Sequence, residues 1–202
     1  MTVTRLRAAL LAPLAAASLA GCGLNSVPTA EENVNARFAD VQADYQRRSD
    51  LIGNLVETVK GAAAQEKGVL IGIAEARSRA TSTQLSAADL DDPVKVRAFN
   101  DAQSQLSQSL NVMRGPAIFE AYPELKANEN FLTLQSQIEG TENSILVARN
   151  DYNEAVQGYN TRIRTFPDAI GAKIFYGAKP KVPFEAATGS QNAPKVDFNT
   201  AG

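Results

Sequence analysis

The chain has 202 residues, with 20 lysines and arginines against 22 acids, a formal charge of −2, 44% hydrophobic residues, one cysteine and no histidine. A charge so near balance lacks the basic patch that nucleic-acid binding needs. Without histidine the commonest general base and metal ligand is missing, and no Ser-His-Asp set can form.

Arg5 and Arg7 open the chain and are followed by "AALLAPLAAASLA", an uncharged run over residues 8–20. A bilayer-crossing helix needs about 20 apolar residues, and this run is shorter and carries Pro13. The layout predicts a secretory signal over residues 1–21. Leu19-Ala20-Gly21-Cys22 resembles the lipobox of bacterial lipoproteins, in which the chain is cut before the cysteine and the thiol and new amine are acylated. A single acyl chain binds a membrane only marginally, whereas two or more hold it stably. Cys22 is therefore the expected lipidation site, and a plain signal peptide with a stray thiol is the competing reading. With the thiol acylated no disulfide is possible, so the fold must rest on its core.

Residues 22–28 form a tether of at most ~25 Å, at about 3.5 Å per residue. Thr29-Ala30-Glu31-Glu32 has the pattern of a capping box, with Pro28 expected to stop the helix from extending upstream. Apolar positions then alternate steps of four and three from Val34 through Phe38, Val41, Tyr45, Ile52, Leu55 and Val59 to Ile73 and Ala80. This heptad-like seam predicts one long helix ending near residues 81–83, with a bend at Gly53. Asp91-Asp92-Pro93 opens a second helix, capped by Asp92, with Val96, Phe99, Gln103, Leu106, Leu110 and Met113 along its seam and Gly115-Pro116 as its end. In the third helix Phe131, Ile138, Ile145, Tyr152, Tyr159 and Phe166 recur every seventh residue, with Leu134, Ala148 and Ala155 three positions on. Pro167 stops it, "DAIGAKIFYG" adds a short helical piece, and no stretch alternates with period two. The expected fold is all-α, an antiparallel up-and-down bundle of three long helices over residues 29–176. Residues 177–202 read as an extended tail with Phe184 and Phe198 as docking points.

Three stretches carry a resemblance: "YQRRSDLIGNLVETVKGAAAQE", "YPELKANENFLTLQSQIEGTENSILVARNDYNEAVQGYNTRIRTFP" and "PFEAATGSQNAPKVDF". Together they resemble the LemA family of bacterial envelope proteins, from about residue 25 to residue 198. The resemblance implies a small antiparallel bundle tethered to a membrane and facing out of the cytoplasm. It implies no reaction; some members are linked to magnetosome membranes and others are genomic neighbours of envelope proteases. Many relatives have proline where this chain has Gly53, and often a tryptophan near Arg37-Phe38. Gly53 keeps the capacity to bend without a rigid kink.

The inventory for chemistry is thin. Asp91-Asp92 and Glu31-Glu32 read as caps, no Gly-rich phosphate loop is present, and no oxygen-ligand metal loop is recognisable. No metal and no cofactor are expected. The unusual residues are Arg48 and Glu66 on the first seam, with Thr141, Glu142, Arg149 and Arg162 interrupting the third. They make either a polar site for a ligand or partner, or a register device in which Arg48 pairs with an acid such as Glu142. The expected function is a non-catalytic interaction or scaffold module, held to the membrane through Cys22 and facing an envelope protein partner. The alternatives are a binding protein for a small or lipidic ligand in the core, and an envelope hydrolase using carboxylates. Gly23 after the cysteine fits sorting to the periplasmic side of an outer membrane.

Overall fold

A computed structural model describes residues 25–62, 67–111, 119–120 and 123–185. Four helices make the body: α1 (Ser26–Ala62), α2 (Lys67–Ser82), α3 (Pro93–Asn111) and α4 (Glu129–Arg162). Short helical pieces lie at Ala87–Asp89, Pro123–Lys126, Asp168–Gly171 and Ala172–Tyr176. No strand occurs among the described residues, so the fold is an all-α bundle.

α1 starts three residues before the expected Thr29. The Asn25 carbonyl accepts from the Thr29 amide at 3.1 Å and from its hydroxyl at 2.7 Å. Pro28 falls in the first turn, where its missing N–H would have had no partner anyway, so it does not exclude the helix. The extra turn buries Val27 in the core.

The expected single first helix is two helices folded back on each other. Arg77 Nε of α2 donates to the Ser49 carbonyl of α1 at 2.8 Å, and its guanidinium lies against Gly53. In one straight helix residues 49 and 77 would sit about 42 Å apart. Both arms carry an apolar stripe with the same spacing, and its phase continues across the reversal, so periodicity could not locate it. Ile52, Leu55, Val59, Ile73 and Ala76 accordingly share one core.

Asp92 caps α3 as expected, accepting from the Val94 amide at 2.9 Å, and Val96, Phe99, Gln103, Leu106 and Leu110 are buried. Met113, Gly115 and Pro116 lie outside the described residues. Asn128 caps α4 by accepting from the Phe131 amide at 3.1 Å. Phe131, Ile138, Ile145, Tyr152 and Tyr159 are buried, as are Ala148 and Ala155. Phe166 does not continue the column: α4 ends at Arg162, and Phe166 is 80% exposed.

α1 and α4 form the long antiparallel pair, shown by Phe38 against Tyr152 (5.9 Å between ring centres) and Arg48 against Glu142. The core divides into two apolar clusters along this pair. One gathers Val34, Phe38, Tyr45, Phe99, Ile145 and Tyr152; the other gathers Ile52, Leu55, Ile73, Leu106, Phe131 and Ile138. Between them lie buried Arg48, Ser49, Gln103 and Thr141.

The segment after Gly177 packs as part of the body. Gly177 adopts φ +54°, a left-handed conformation that suits glycine and ends the preceding helix. The chain then runs extended to Glu185, and Phe184, read from sequence as a docking point on a tail, is buried against Tyr152 and Phe99. Phe198 lies outside the described residues.

Candidate functional site

Among the described residues Arg48 heads the fully buried large side chains, and it is 1% exposed. Its helix places it at a seam position, so a cation points into the core where an aliphatic residue would normally sit. Nη1 donates to Glu142 Oε1 at 2.9 Å and to Ser107 Oγ at 2.8 Å, while Nη2 donates to Gln103 Oε1. The guanidinium carbon stands 4.9 Å from the centre of the Tyr45 ring. Ser107 also donates to Glu142 Oε2 at 3.3 Å, and Gln103 Nε2 reaches the Ala80 carbonyl at 3.1 Å. One side chain of α1 is thus tied directly to α3 and α4, and through Gln103 to α2. Glu142 is 21% exposed, so the pair keeps one edge in water and its desolvation cost is reduced.

Two buried polar atoms in this layer have no hydrogen bond of normal geometry, Arg48 Nε and the Tyr45 hydroxyl. Burial raises the Tyr45 phenol above its usual value, and the nearby charges of Arg149 and Arg48 oppose that rise. A partly open pocket of about 240 Å³ lies beside the layer, lined by Gln42, Tyr45, Ser49, Thr83 and Gln103 among others. As chemistry, the arrangement is a neutralised cation with its terminal donors committed, next to amides and hydroxyls.

A second constellation holds the strap of residues 177–185 on α4. Asn153 Nδ2 donates to the Phe184 carbonyl at 2.9 Å, and Asn153 Oδ1 accepts from the Phe184 amide at 2.8 Å. Asn160 does the same with Lys181, at 2.8 Å in both directions. Seven helical residues rise about 10.5 Å and three extended residues span about 10 Å, so the two asparagines match the strap's repeat. Each side-chain amide replaces the neighbouring strand that an extended backbone would otherwise need. Tyr152 Oη donates to the Val182 carbonyl at 2.9 Å, and Arg149 Nη2 to the Glu185 carbonyl at 2.6 Å.

Of the residues singled out from sequence, Arg48 and Glu142 meet directly, and Thr141 is buried beside them. Arg149 donates to the strap while its charge also acts on Tyr45, and Arg162 lines a surface groove of about 560 Å³ with Thr29, Arg37 and Asp151. Cys22 and Glu66 lie outside the described residues. Sequence reasoning passed over Ser49, Ser107 and the partner role of Gln103, because a small or polar residue on a seam carries no periodic signal. It also missed Asn153 and Asn160, although Tyr-Asn recurs at 152–153 and 159–160, seven residues apart.

The family model for LemA matches residues 37–198, which takes in the arginine layer, both asparagines and the strap. The chain belongs to the LemA family. This LemA-family protein is 26% identical over 126 residues to Protein LemA of Metamycoplasma hominis, covering 62% of this chain and 52% of that one. It is 24% identical over 159 residues to Magnetosome proteins MamQ 2 and MamQ 1 of Paramagnetospirillum magneticum, covering 71% of this chain and 58% of each. The chain therefore spans little more than half the length of the curated relatives it matches. Family membership makes it an envelope-associated protein whose biochemical activity is not defined. No described helix is long and apolar enough to cross a membrane.

Proposed function

We propose that this protein is a lipid-tethered, extracytoplasmic bundle that acts as a non-catalytic interaction or scaffold module of the bacterial envelope. The observation that carries this reading is the state of Arg48. Its charge and terminal donors are spent on Glu142, Ser107 and Gln103 of the same chain, which supports a pin for helix register in place of a site for substrate. The function then falls to the outer surface. The lipobox-like Leu19-Ala20-Gly21-Cys22 behind a basic and apolar leader supports the tether, with the folded body beginning at Ser26. Facing out of the cytoplasm follows from export by that leader, and the periplasmic side of an outer membrane from Gly23 after the cysteine.

Fractionation of cells carrying Cys22→Ser tests the tether. The variant should leave the membrane fraction, and normal processing with full membrane retention would refute the anchor. Turnover of a peptide, glycan or lipid that disappears when one Asp or Glu is neutralised would refute the non-catalytic part.

A second reading rests on the pocket beside Tyr45. Its lining of glutamines, a serine and two threonines suits a small polar ligand. Native mass spectrometry of protein taken from cells would favour this reading if a bound small molecule is present in equal molar amount and is lost with Gln103→Leu.

A further inference from the structure

The end of the bundle where α1 begins carries a patch that the core does not absorb. After α4 the chain enters Asp168–Gly171 and Ala172–Tyr176, which run on as one helical piece. Gly171 and Ala172 face inward, and Ala172 joins the cluster that contains Val27 and Val34 of α1. The same segment leaves Phe166 (80% exposed), Ile170 (52%), Ile174 (70%) and Phe175 (67%) open to solvent. Ile170 and Ile174 lie four residues apart on the helical piece and Phe166 in the turn just before it, so these exposed apolar residues gather in one stripe within residues 166–175 and are not scattered over the surface. A contiguous apolar surface of this kind marks a contact with protein or membrane.

We infer that this stripe is a membrane-contact face, which lies in the headgroup region of an anionic bilayer and orients the bundle on it. The inference rests on the tether proposed above. Ser26 is four residues from Cys22, a span of at most ~14 Å, and it belongs to the same end of the bundle as the stripe. A lipid on Cys22 would hold that end at the bilayer surface and present the stripe to it at high effective concentration. The charges agree. In sequence Arg164 and Lys173 flank the stripe with Asp168 as the acid between them, and Arg162, which shares its groove with Asp151 and Glu154, stands just upstream, in a chain whose overall formal charge is −2. Phenylalanine and isoleucine on one side with arginine and lysine around them is the composition of a segment lying in a membrane interface. Each basic residue near an anionic leaflet adds attraction that salt weakens. A protein partner for the stripe would have to enter the gap between the bundle and the bilayer, which the short tether leaves narrow.

The chain contains no tryptophan, so Phe166→Trp introduces a single fluorescent reporter at a position too exposed to disturb the core. The full-length protein, extracted from its membranes, is reconstituted into vesicles of equal parts phosphatidylcholine and phosphatidylglycerol with brominated acyl chains. Emission of the Phe166→Trp protein should shift to the blue and fall by about half or more relative to unbrominated vesicles. Leu146→Trp, placed on exposed α4 far from this end, should keep its emission. Adding Arg164→Glu and Lys173→Glu to the Phe166→Trp protein should reduce the quenching while the helical circular dichroism stays unchanged. Protein that floats with the vesicles while the introduced indole is unquenched overturns the membrane face and leaves the tether standing. Loss of flotation overturns both. A blue shift without vesicles that grows with protein concentration overturns the proposal in favour of a second copy covering the stripe.

Discussion

Removing Glu142 should cost the protein more than removing Glu142 and Arg48 together. In Glu142→Ala the guanidinium of Arg48 stays fully buried, with Ser107 and Gln103 as neutral acceptors and no counter-charge. Breaking a buried pair from one side typically costs about 3–5 kcal/mol. Glu142 keeps an edge in water, which allows some solvent to reach the gap, so the lower end applies and about 3 kcal/mol is expected. With a denaturant slope of about 2 kcal/mol per molar urea, the midpoint should fall by about 1.5 M. Adding Arg48→Met removes the uncompensated charge and leaves a flexible side chain of similar reach. The double variant should regain at least about 1 kcal/mol over Glu142→Ala, a coupling of the size seen for contacting residues. Urea unfolding followed by helical circular dichroism measures all four corners of the cycle. A double variant less stable than Glu142→Ala would refute the buried-charge reasoning.

Asn153→Ala removes two hydrogen bonds to Phe184 and should cost about 2 kcal/mol at roughly 1 kcal/mol each, with faster hydrogen exchange at the Phe184 amide while amides in the middle of α1 keep their protection. Ile145→Ala should cost about 2–5 kcal/mol as a buried aliphatic truncation, and exposed Gln157→Ala less than about 0.5 kcal/mol; equal urea midpoints would remove the seam assignment. The Asp89 carboxyl is held down to about 2 by hydrogen bonds from Lys95 and Ser86. Its folded value lies below the unfolded one, so its contribution is present above about pH 4 and is lost as pH falls toward 2. An NMR titration should show that midpoint, and Lys95→Met should raise it.

The helical class and much of the core could be read in advance because each long helix carries a seven-residue pattern set by its one buried side. Val34 to Val59 in α1 and Phe131 to Tyr159 in α4 are buried as that pattern requires. The same signal failed where its physical basis ended. It ran through the reversal between α1 and α2, since two helices packed back to back keep compatible stripes. It also ran past Arg162 to Phe166, because counting sevens ignores where the backbone leaves the helix. The arginine layer was half legible: a charge on a seam demands a partner, and Glu142 was one acid in reach. Ser107 and Gln103 became partners only through the packing of α3. The strap was hidden for a different reason. An extended segment has no period of its own, and what fixes it is the asparagine spacing on α4, whose amides look like ordinary solvated groups until the strap is laid along them.

Whether the protein works through its surface in the envelope is the central question. A photo-crosslinking residue placed at exposed Leu146 or Val147 of the native, membrane-bound protein in intact cells tests this most directly. A surface-acting scaffold should give a discrete adduct with an envelope protein, formed from one face of the bundle and lost when Cys22→Ser releases the protein from the membrane. Absence of adducts from every exposed face, together with a retained core ligand or a turnover activity that survives purification, would contradict it.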